Sequence, residues 1–463
     1  MKALLGLVGV VAGIGWGAMA IGQEPAPLPT GRFIVTLKPD ADTTAVATYH
    51  GLETRHVYDQ VFRGWAGEIP LARLKDLAAD PNVASIVPDS RVSVFGDGNE
   101  DNLLSGQVVP AGVQRVGASP GATSYTGSGI GVAVLDTGLD LRHADLRCAS
   151  NSFSVYGISA QDDNGHGTHV AGIVAALGER AGAVGVAPGA VLYSVKVLDA
   201  HGNGYDSDIL AGLNWIRNNT TNLNPPIKVV NMSFGRPASR DDGVLHNAVR
   251  SLVGAGITVV AAAGNDPARE VKNMVPAGFP EVIAVASTTA SEGVPDMGYG
   301  GIGQDTASFF TTAGAMDATG TGVAISAPGE EREDLSADWV TSVGILSTRL
   351  GGGVARMSGT SMAAPHVTGA VALLYEKAAE LGFNLQPVDA KLAIMNGDRI
   401  GVAPLDSRTS RGYSLNYAFD GEREGILDVP SALSFLDTLP GLISDRPVRN
   451  RHANVVLRRQ AAD

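Results

Sequence analysis

The sequence predicts an α/β fold: a three-layer sandwich on a mostly parallel sheet, preceded by a small α+β unit. Three observations carry this. From Ile130 to Leu381, short apolar runs alternate with stretches of helical composition. The runs, such as Val132-Ala133-Val134-Leu135, are continuously apolar, as strands covered on both faces must be. Residues 32–94 follow another pattern, with short strands and helices in the order βαββαβ. Alternation of strand and helix in the larger part implies right-handed crossovers between parallel strands.

Composition sets the outer limits. With 463 residues, 44% of them hydrophobic, the chain can bury a large core. Its 59 glycines suit tight turns and close backbone approaches. A net charge of −13 argues against a nucleic-acid partner, which calls for a basic face, and fits a soluble, secreted protein. Cys148 is the single cysteine, so no intramolecular disulfide can form, and it reads as a small buried hydrophobe.

Taken in order, residues 1–20 read as a signal peptide. Met1-Lys2 precedes an apolar, Gly-rich stretch, and Ala18-Met19-Ala20 offers a cleavage site. This predicts an extracellular or periplasmic protein with no stable membrane anchor after cleavage. Residues 21–31 are a Pro-containing linker. Within 32–95, Phe33–Leu37 is strand-like, Asp42–Gly51 helical, and Val57–Ile69 partly alternating. Leu71, Leu74 and Leu77 share one helical face, and Val83–Asp89 is a further strand. Residues 96–108, rich in Gly, Asp and Asn, read as an exposed connector suited to proteolytic nicking.

The main domain is expected over 109–437, with strands at 130–135, 191–198, 227–232, 257–263, 282–287 and 322–327. Helices are expected at 166–177, 207–217, 245–255, 361–381 and 387–395, with a closing turn and helix at 425–433. Residues 438–463 form a polar, Arg-containing tail. Gly127-Ser128-Gly129-Ile130-Gly131 precedes its strand instead of following it, which disfavours a dinucleotide site.

Three stretches carry chemistry. Val132–Gly138 ends in Leu135-Asp136-Thr137-Gly138. Asn164–Gly172 contains His166-Gly167-Thr168-His169. Arg356–Gly369 reads Arg-Met-Ser-Gly-Thr-Ser-Met-Ala-Ala-Pro-His-Val-Thr-Gly. Ser361 stands at the start of a helix, where unpaired backbone N–H groups point outward and can hold a developing anion. A serine hydroxyl is a weak nucleophile without a positioned base. Asp136 ends a strand and Asn265 follows one, as sites beyond the carboxyl ends of sheet strands require.

These stretches, in the order Asp, His, Ser, closely resemble those of subtilisin-like serine peptidases. The resemblance implies Ser361 as nucleophile, His166 as general base and then acid, and Asp136 as the carboxylate that orients the imidazole. Asn265, ending Val259–Asn265, would donate its amide to the oxyanion beside the Ser361 N–H. His169 reads as a packed structural histidine. Gly202-Asn203-Gly204 and Ser233-Phe234-Gly235 would wall a groove taking substrate as an added strand, with Phe234 on the first specificity pocket.

Arg236 stands where the family often has a small residue. Asp145 matches a position that ligates calcium in many relatives, but the partner loop carries Gly178-Glu179-Arg180 where neutral donors are usual. No catalytic cofactor is implied. Residues 32–95 resemble the inhibitory prosegment of such enzymes, on Phe33–Pro39, Phe62–Ala66 and Pro81–Asp89, with self-cleavage near Phe95 or Gly96. The implied protein is a secreted, self-processing serine endopeptidase, a monomer acting on polypeptides and held by its own prosegment. The alternative is a catalytically silent fold of this type acting as a binding protein.

Overall fold

The computed structural model describes residues 29–99, 108–178, 182–294, 302–335, 340–397, 405–406 and 424–439. The expected signal peptide and most of the tail lie outside the described residues.

The first unit comprises β1 (Thr30–Leu37), α1 (Ala45–Tyr49), β2 (His56–Tyr58), β3 (Gly64–Pro70), α2 (Leu74–Ala78) and β4 (Val83–Pro88). Its antiparallel sheet is ordered β2-β3-β1-β4, with Val35 opposite Trp65 and Ile86. Val35, Trp65, Ile69 and Leu77 form its fully buried core. The single strand expected over 57–69 is two strands. Between them the N–H groups of Asp59, Gln60 and Val61 all point at Asn214 Oδ1 in the main domain, at 3.2, 2.8 and 3.3 Å, so a tertiary contact breaks the strand. Of the three leucines expected on one face, Leu77 is buried and Leu71 is exposed, because Leu71–Arg73 forms a 3₁₀ turn before the helix.

The connector also differs. β5 (Arg91–Val94) and β6 (Asp97–Asn99) are strands paired with the main domain, so the chain from 91 to 99 is held and not free.

The main domain continues through α3 (Ala111–Arg115), β7 (Gly131–Asp136), β8 (Phe153–Ser154), α4 (His166–Ala175), β9 (Val191–Lys196), β10 (Asn203–Tyr205) and α5 (Asp206–Asn219). Next come β11 (Ile227–Met232), β12 (Phe234–Pro237), α6 (Gly243–Gly254), β13 (Thr258–Ala262), β14 (Met274–Val275), β15 (Ile283–Thr289) and β16 (Thr306–Ala307). The described part closes with β17 (Ile325–Leu335), β18 (Val340–Thr348), β19 (Val354–Ser358), α7 (Thr360–Glu380), α8 (Pro387–Asn396) and α9 (Val429–Leu436).

The main sheet runs β6-β19-β18-β17-β15-β13-β11-β7-β9-β8, parallel from β17 to β8 and antiparallel from β17 to β6. Alternation along β7 explains its continuous apolarity. Val132 and Val134 join the core under α4 and α7, while Ala133 and Leu135 join the core under α5 and α6. The antiparallel extension was not legible. β17 runs past the apolar segment into Glu330-Glu331-Arg332-Glu333-Asp334, whose charges conceal a strand. Arg356 on β19 pairs with Glu331, and Arg332 with Asp334, while burial and the neighbouring Glu333 push the Glu330 carboxyl well above its usual range.

Two buried histidines brace the helices, His169 by a bond from α4 across to β18 and His366 by a bond within α7. His169 Nε2 donates to Ile345 O at 3.0 Å, and His366 Nδ1 donates to Met362 O at 2.8 Å. Burial pushes His169 from 6.5 down to about 3 and His366 down to about 4. The unfolded chain takes up these protons below pH 6.5 and the folded chain does not, so stability is full above that pH and drains as pH falls toward 4. Guanidinium unfolding of the Ser361→Ala protein should lose roughly 1.4 kcal/mol per pH unit for each histidine within that window. His169→Asn should remove one histidine's share of the slope.

Candidate active site

Asp136 closes β7 and His166 opens α4; both are buried. Gly165 has φ 107°, a left-handed conformation that lets the chain turn into the helix at His166. The His166 Nδ1–H donates to Asp136 Oδ1 at 2.7 Å. The pair is held by Asp162, whose importance no motif announced. Its Oδ1 accepts from Thr137 Oγ1 at 2.9 Å and from the N–H groups of Asn164 and Gly165 at 3.0 Å. Its Oδ2 accepts from Thr168 N at 3.0 Å and Thr168 Oγ1 at 2.5 Å. Thr137 Oγ1 also accepts from Gly167 N at 3.0 Å. A Cβ on Gly167 would lie 2.1 Å from Gly138 O, so only glycine lets helix and strand end meet.

Ser361 stands in the first turn of α7, reached from β19 through Gly359 at φ 148°. Asn265 Oδ1 accepts from Thr360 N at 3.0 Å and Thr360 Oγ1 at 2.8 Å, which fixes the amide. A Cβ on Gly359 would lie 3.0 Å from Asn265 Nδ2 and 2.4 Å from Phe95 O, so both atoms border the bare Cα of Gly359. Ser361 N–H donates to Phe95 O at 3.3 Å. Ser361 Oγ donates to Ser233 O at 2.8 Å and accepts from Phe95 N at 3.1 Å. His166 Nε2 is buried with no hydrogen-bond partner among the described residues. Asp136 and His166 are thus bonded, Ser361 adjoins Asn265 through Thr360, and the hydroxyl is turned to Ser233.

The expected walls flank a strand of this same chain. β5 lies antiparallel between β10 and β12, with Ser93 opposite both Asn203 and Gly235, Val92 opposite Gly204, and Val94 opposite Phe234. Val94 N–H donates to Gly202 O at 3.0 Å, and Phe95 N–H to Ser233 O at 3.4 Å. Cβ atoms on Gly202 and Gly235 would lie 2.8 Å from the Val94 side chain and the Phe95 ring, so glycine makes room for the strand. Phe95 therefore meets Gly235, while Phe234 lies in the core with Val92 and Leu198.

Beyond Ser361 the chain pairs with β19, Ser358 opposite Asp97 and Arg356 opposite Asn99. A Cβ on Gly96 would lie 3.4 Å from His166 Nε2. The Phe95–Gly96 peptide bond thus lies between Ser361 and His166.

Charge near the groove is arranged in pairs. Arg236 is bonded to Asp206 and Asp242, partners that nothing in the sequence indicated. Burial pushes Asp206 up to about 6, with Asp89 and Asp242 adding to the rise and Arg236 opposing it. Lys196 Nζ, 3% exposed as a residue, donates to Asp163 Oδ1 at 2.6 Å and Leu198 O at 3.0 Å, below the Asp136 strand end.

Asp145 is buried with its carboxylate against Gly182, whose Cβ would overlap Asp145 Oδ2. Glu179 and Arg180 lie outside the described residues, and among the described residues no group of three acidic, His or Cys side chains is placed to hold a metal. Asp145 is a hard oxygen donor of the type calcium takes, but only one. Cys148 is partly buried, and its thiol is pushed up to about 12 by that burial.

The chain was compared with known proteins. The model of the subtilase family of peptidases matches residues 127–413. An alkaline protease of Shouchella clausii is 38% identical over 65% of this chain and 66% of its own length. Subtilisin E of Bacillus subtilis is 35% identical over 66% of this chain and 68% of its own length. Subtilisin Savinase of Lederbergia lenta is 40% identical over 58% of this chain and 86% of its own length. The match thus spans about two thirds of the alkaline protease's own length and more of the Savinase chain. With a family match over more than half its length, and the pairing of Asp136 with His166 close to a helix-opening serine, this chain belongs to the subtilase family.

Proposed function

We propose that this protein is an active serine endopeptidase made as a self-processing zymogen, cleaving first its own Phe95–Gly96 bond. The observation that carries the reading is the passage of residues 91–99 over Ser361 as two strands joined at that bond. In the proposed reaction the Ser361 hydroxyl leaves Ser233 O and gives its proton to His166 Nε2 as Oγ bonds the Phe95 carbonyl carbon. Asp136 holds the imidazole with its proton on Nδ1 and stabilises the imidazolium. Charge that develops on Phe95 O is met by the Ser361 N–H and by Asn265 Nδ2. His166 then protonates the Gly96 nitrogen, the amine leaves, and water attacks the acyl-enzyme by the same route in reverse.

After cleavage the pairing of β5 with both walls is intact, so residues 32–95 remain as an inhibitor until removed. Self-pairing within the groove supports polypeptides in extended form as the substrate class. Secretion after removal of residues 1–20, and action as a monomer, belong to the same proposal. They rest on the signal-like segment and the negative charge; no described helix is long and apolar enough to cross a membrane. A structural calcium ion at Asp145 is proposed on that single ligand, with no part in catalysis.

Three outcomes test this. Expressed from Gln23, the wild-type chain should split between Phe95 and Gly96 while Ser361→Ala stays whole, read by intact mass; a whole wild type with no peptidase activity would favour the silent binding fold. Asn265→Ala should lower turnover by the ~10²–10³-fold known from subtilisin itself, with little change in KM. Millimolar calcium should raise the unfolding midpoint of the Ser361→Ala protein, and Asp145→Asn should abolish the rise.

A further inference from the structure

The far end of the groove carries a bridge that the proposed reaction does not use. If β5 is a bound substrate strand, the proposed function on which this inference rests, then Val92 is the fourth residue before the scissile bond and Ser90 the sixth. Val92 lies opposite Gly204 on one wall, and its neighbour Ser93 lies opposite Gly235 on the other. Two residues past Gly204 comes Asp206, and one past Gly235 comes Arg236. Their side chains are joined: Arg236 Nε donates to Asp206 Oδ1 at 3.1 Å and Nη2 to Oδ2 at 2.6 Å. Adjacent strands lie ~4.8 Å apart, so walls on either side of β5 stand ~9.6 Å apart, and the ion pair crosses the width that β5 occupies. The Asp206 N–H also holds Ser90 O at 2.8 Å.

The bridge is rigid. Arg236 and Asp206 are 8% and 5% exposed. Arg236 Nη2 makes a further bond to Asp242 Oδ1 at 2.6 Å, and Asp242 accepts from Ser239 N at 2.6 Å and Ser239 Oγ at 2.9 Å. The guanidinium therefore cannot swing aside without leaving two buried carboxylates unmatched, which is far costlier than an exposed pair would be. Val92 itself is 2% exposed, packed in the core that includes Leu198, Ile209 and Phe234.

We propose that the Asp206–Arg236 bridge closes the subsite for the fourth residue before the cleaved bond, making Arg236 and Asp206 specificity-determining residues. The enzyme then takes polypeptides with a small or β-branched apolar side chain there, such as Val or Ala, and rejects aromatic ones. The selection is steric and electrostatic together: a larger ring must displace a bidentate, fully hydrogen-bonded guanidinium.

The test is a double-mutant cycle in the full chain, on the Ser361→Ala background so that no cleavage intervenes. Val92→Phe should lower the thermal midpoint by several degrees, and in the opened background R236G/D206S that loss should shrink by more than half. An equal loss in both backgrounds overturns the bridge. If the opened protein does not fold, Arg236→Lys, which keeps the charge but not the bidentate fork, serves in its place and should give intermediate coupling. With Ser361 restored, Val92→Phe should slow the Phe95–Gly96 split by ~10-fold or more, a usual penalty for misfit in an apolar pocket, and the opened background should recover it. Slowing that the opened background leaves unchanged overturns the proposal. A wild type that never splits sinks the peptidase reading instead, and the thermal cycle still decides the bridge.

Discussion

The arrangement depends on the clamp that Asp162 places between the end of β7 and the start of α4. The 2.7 Å bond from His166 to Asp136 joins groups on two different elements, and it can persist only if those elements cannot slide. Asp162 takes hydrogen bonds from the β7 side through Thr137 and from the helix side through Asn164, Gly165 and Thr168. One buried carboxylate thus satisfies five donors and converts a strand end and a helix start into a single rigid piece. A carboxylate bonded on every side cannot turn without leaving buried donors unmatched, which costs more than the bonds are worth singly. Asn265 is handled by the same logic on the other side, where Thr360 fixes its amide from the residue next to Ser361.

The second constraint is backbone pairing in the groove. β5 completes a small antiparallel sheet with β10 and β12, and β6 adds to the edge of the main sheet at β19. Between the two the chain has no freedom: the carbonyl of Phe95 meets the Ser361 N–H, and its N–H meets Ser361 Oγ. This explains why residues 97–99 form a strand although the composition of the segment after Phe95 suggests a free connector. Composition reports what a segment does alone, and here the partner strands supply the missing hydrogen bonds. The first unit adds further anchors on α5, where Asp89 accepts from Ser207 N at 2.8 Å and Ser207 Oγ at 2.7 Å, and where the Arg55 and His56 side chains meet Asp208.

Much of this was legible in the chain. The runs of β7, β11 and β13 read correctly because both faces of each strand are covered, so most of their residues are apolar. The stretches around Asp136, His166 and Ser361 stood out because glycines and small residues cluster where backbones must approach closely. The antiparallel hairpin from β17 to β19 did not stand out. A run of five charged residues reads as surface loop, and the cross-strand ion pair of Glu331 with Arg356 joins residues twenty-five positions apart and leaves no periodic trace. Nor did the split between β2 and β3, since the cause is Asn214 in another part of the chain.

The sequence by itself determined the class of fold, the family, and the residue types that meet at the proposed site, because apolar periodicity and glycine-bounded motifs are local properties. Tertiary structure alone decided which groups touch. It set the hydroxyl of Ser361 toward Ser233 and left His166 Nε2 unbonded beside Gly96. It laid Phe95–Gly96 across the serine, and it joined Asp206 to Arg236 over the groove. Those contacts arise between residues thirty to more than two hundred positions apart, and their energies depend on burial and on geometry that only the folded chain creates.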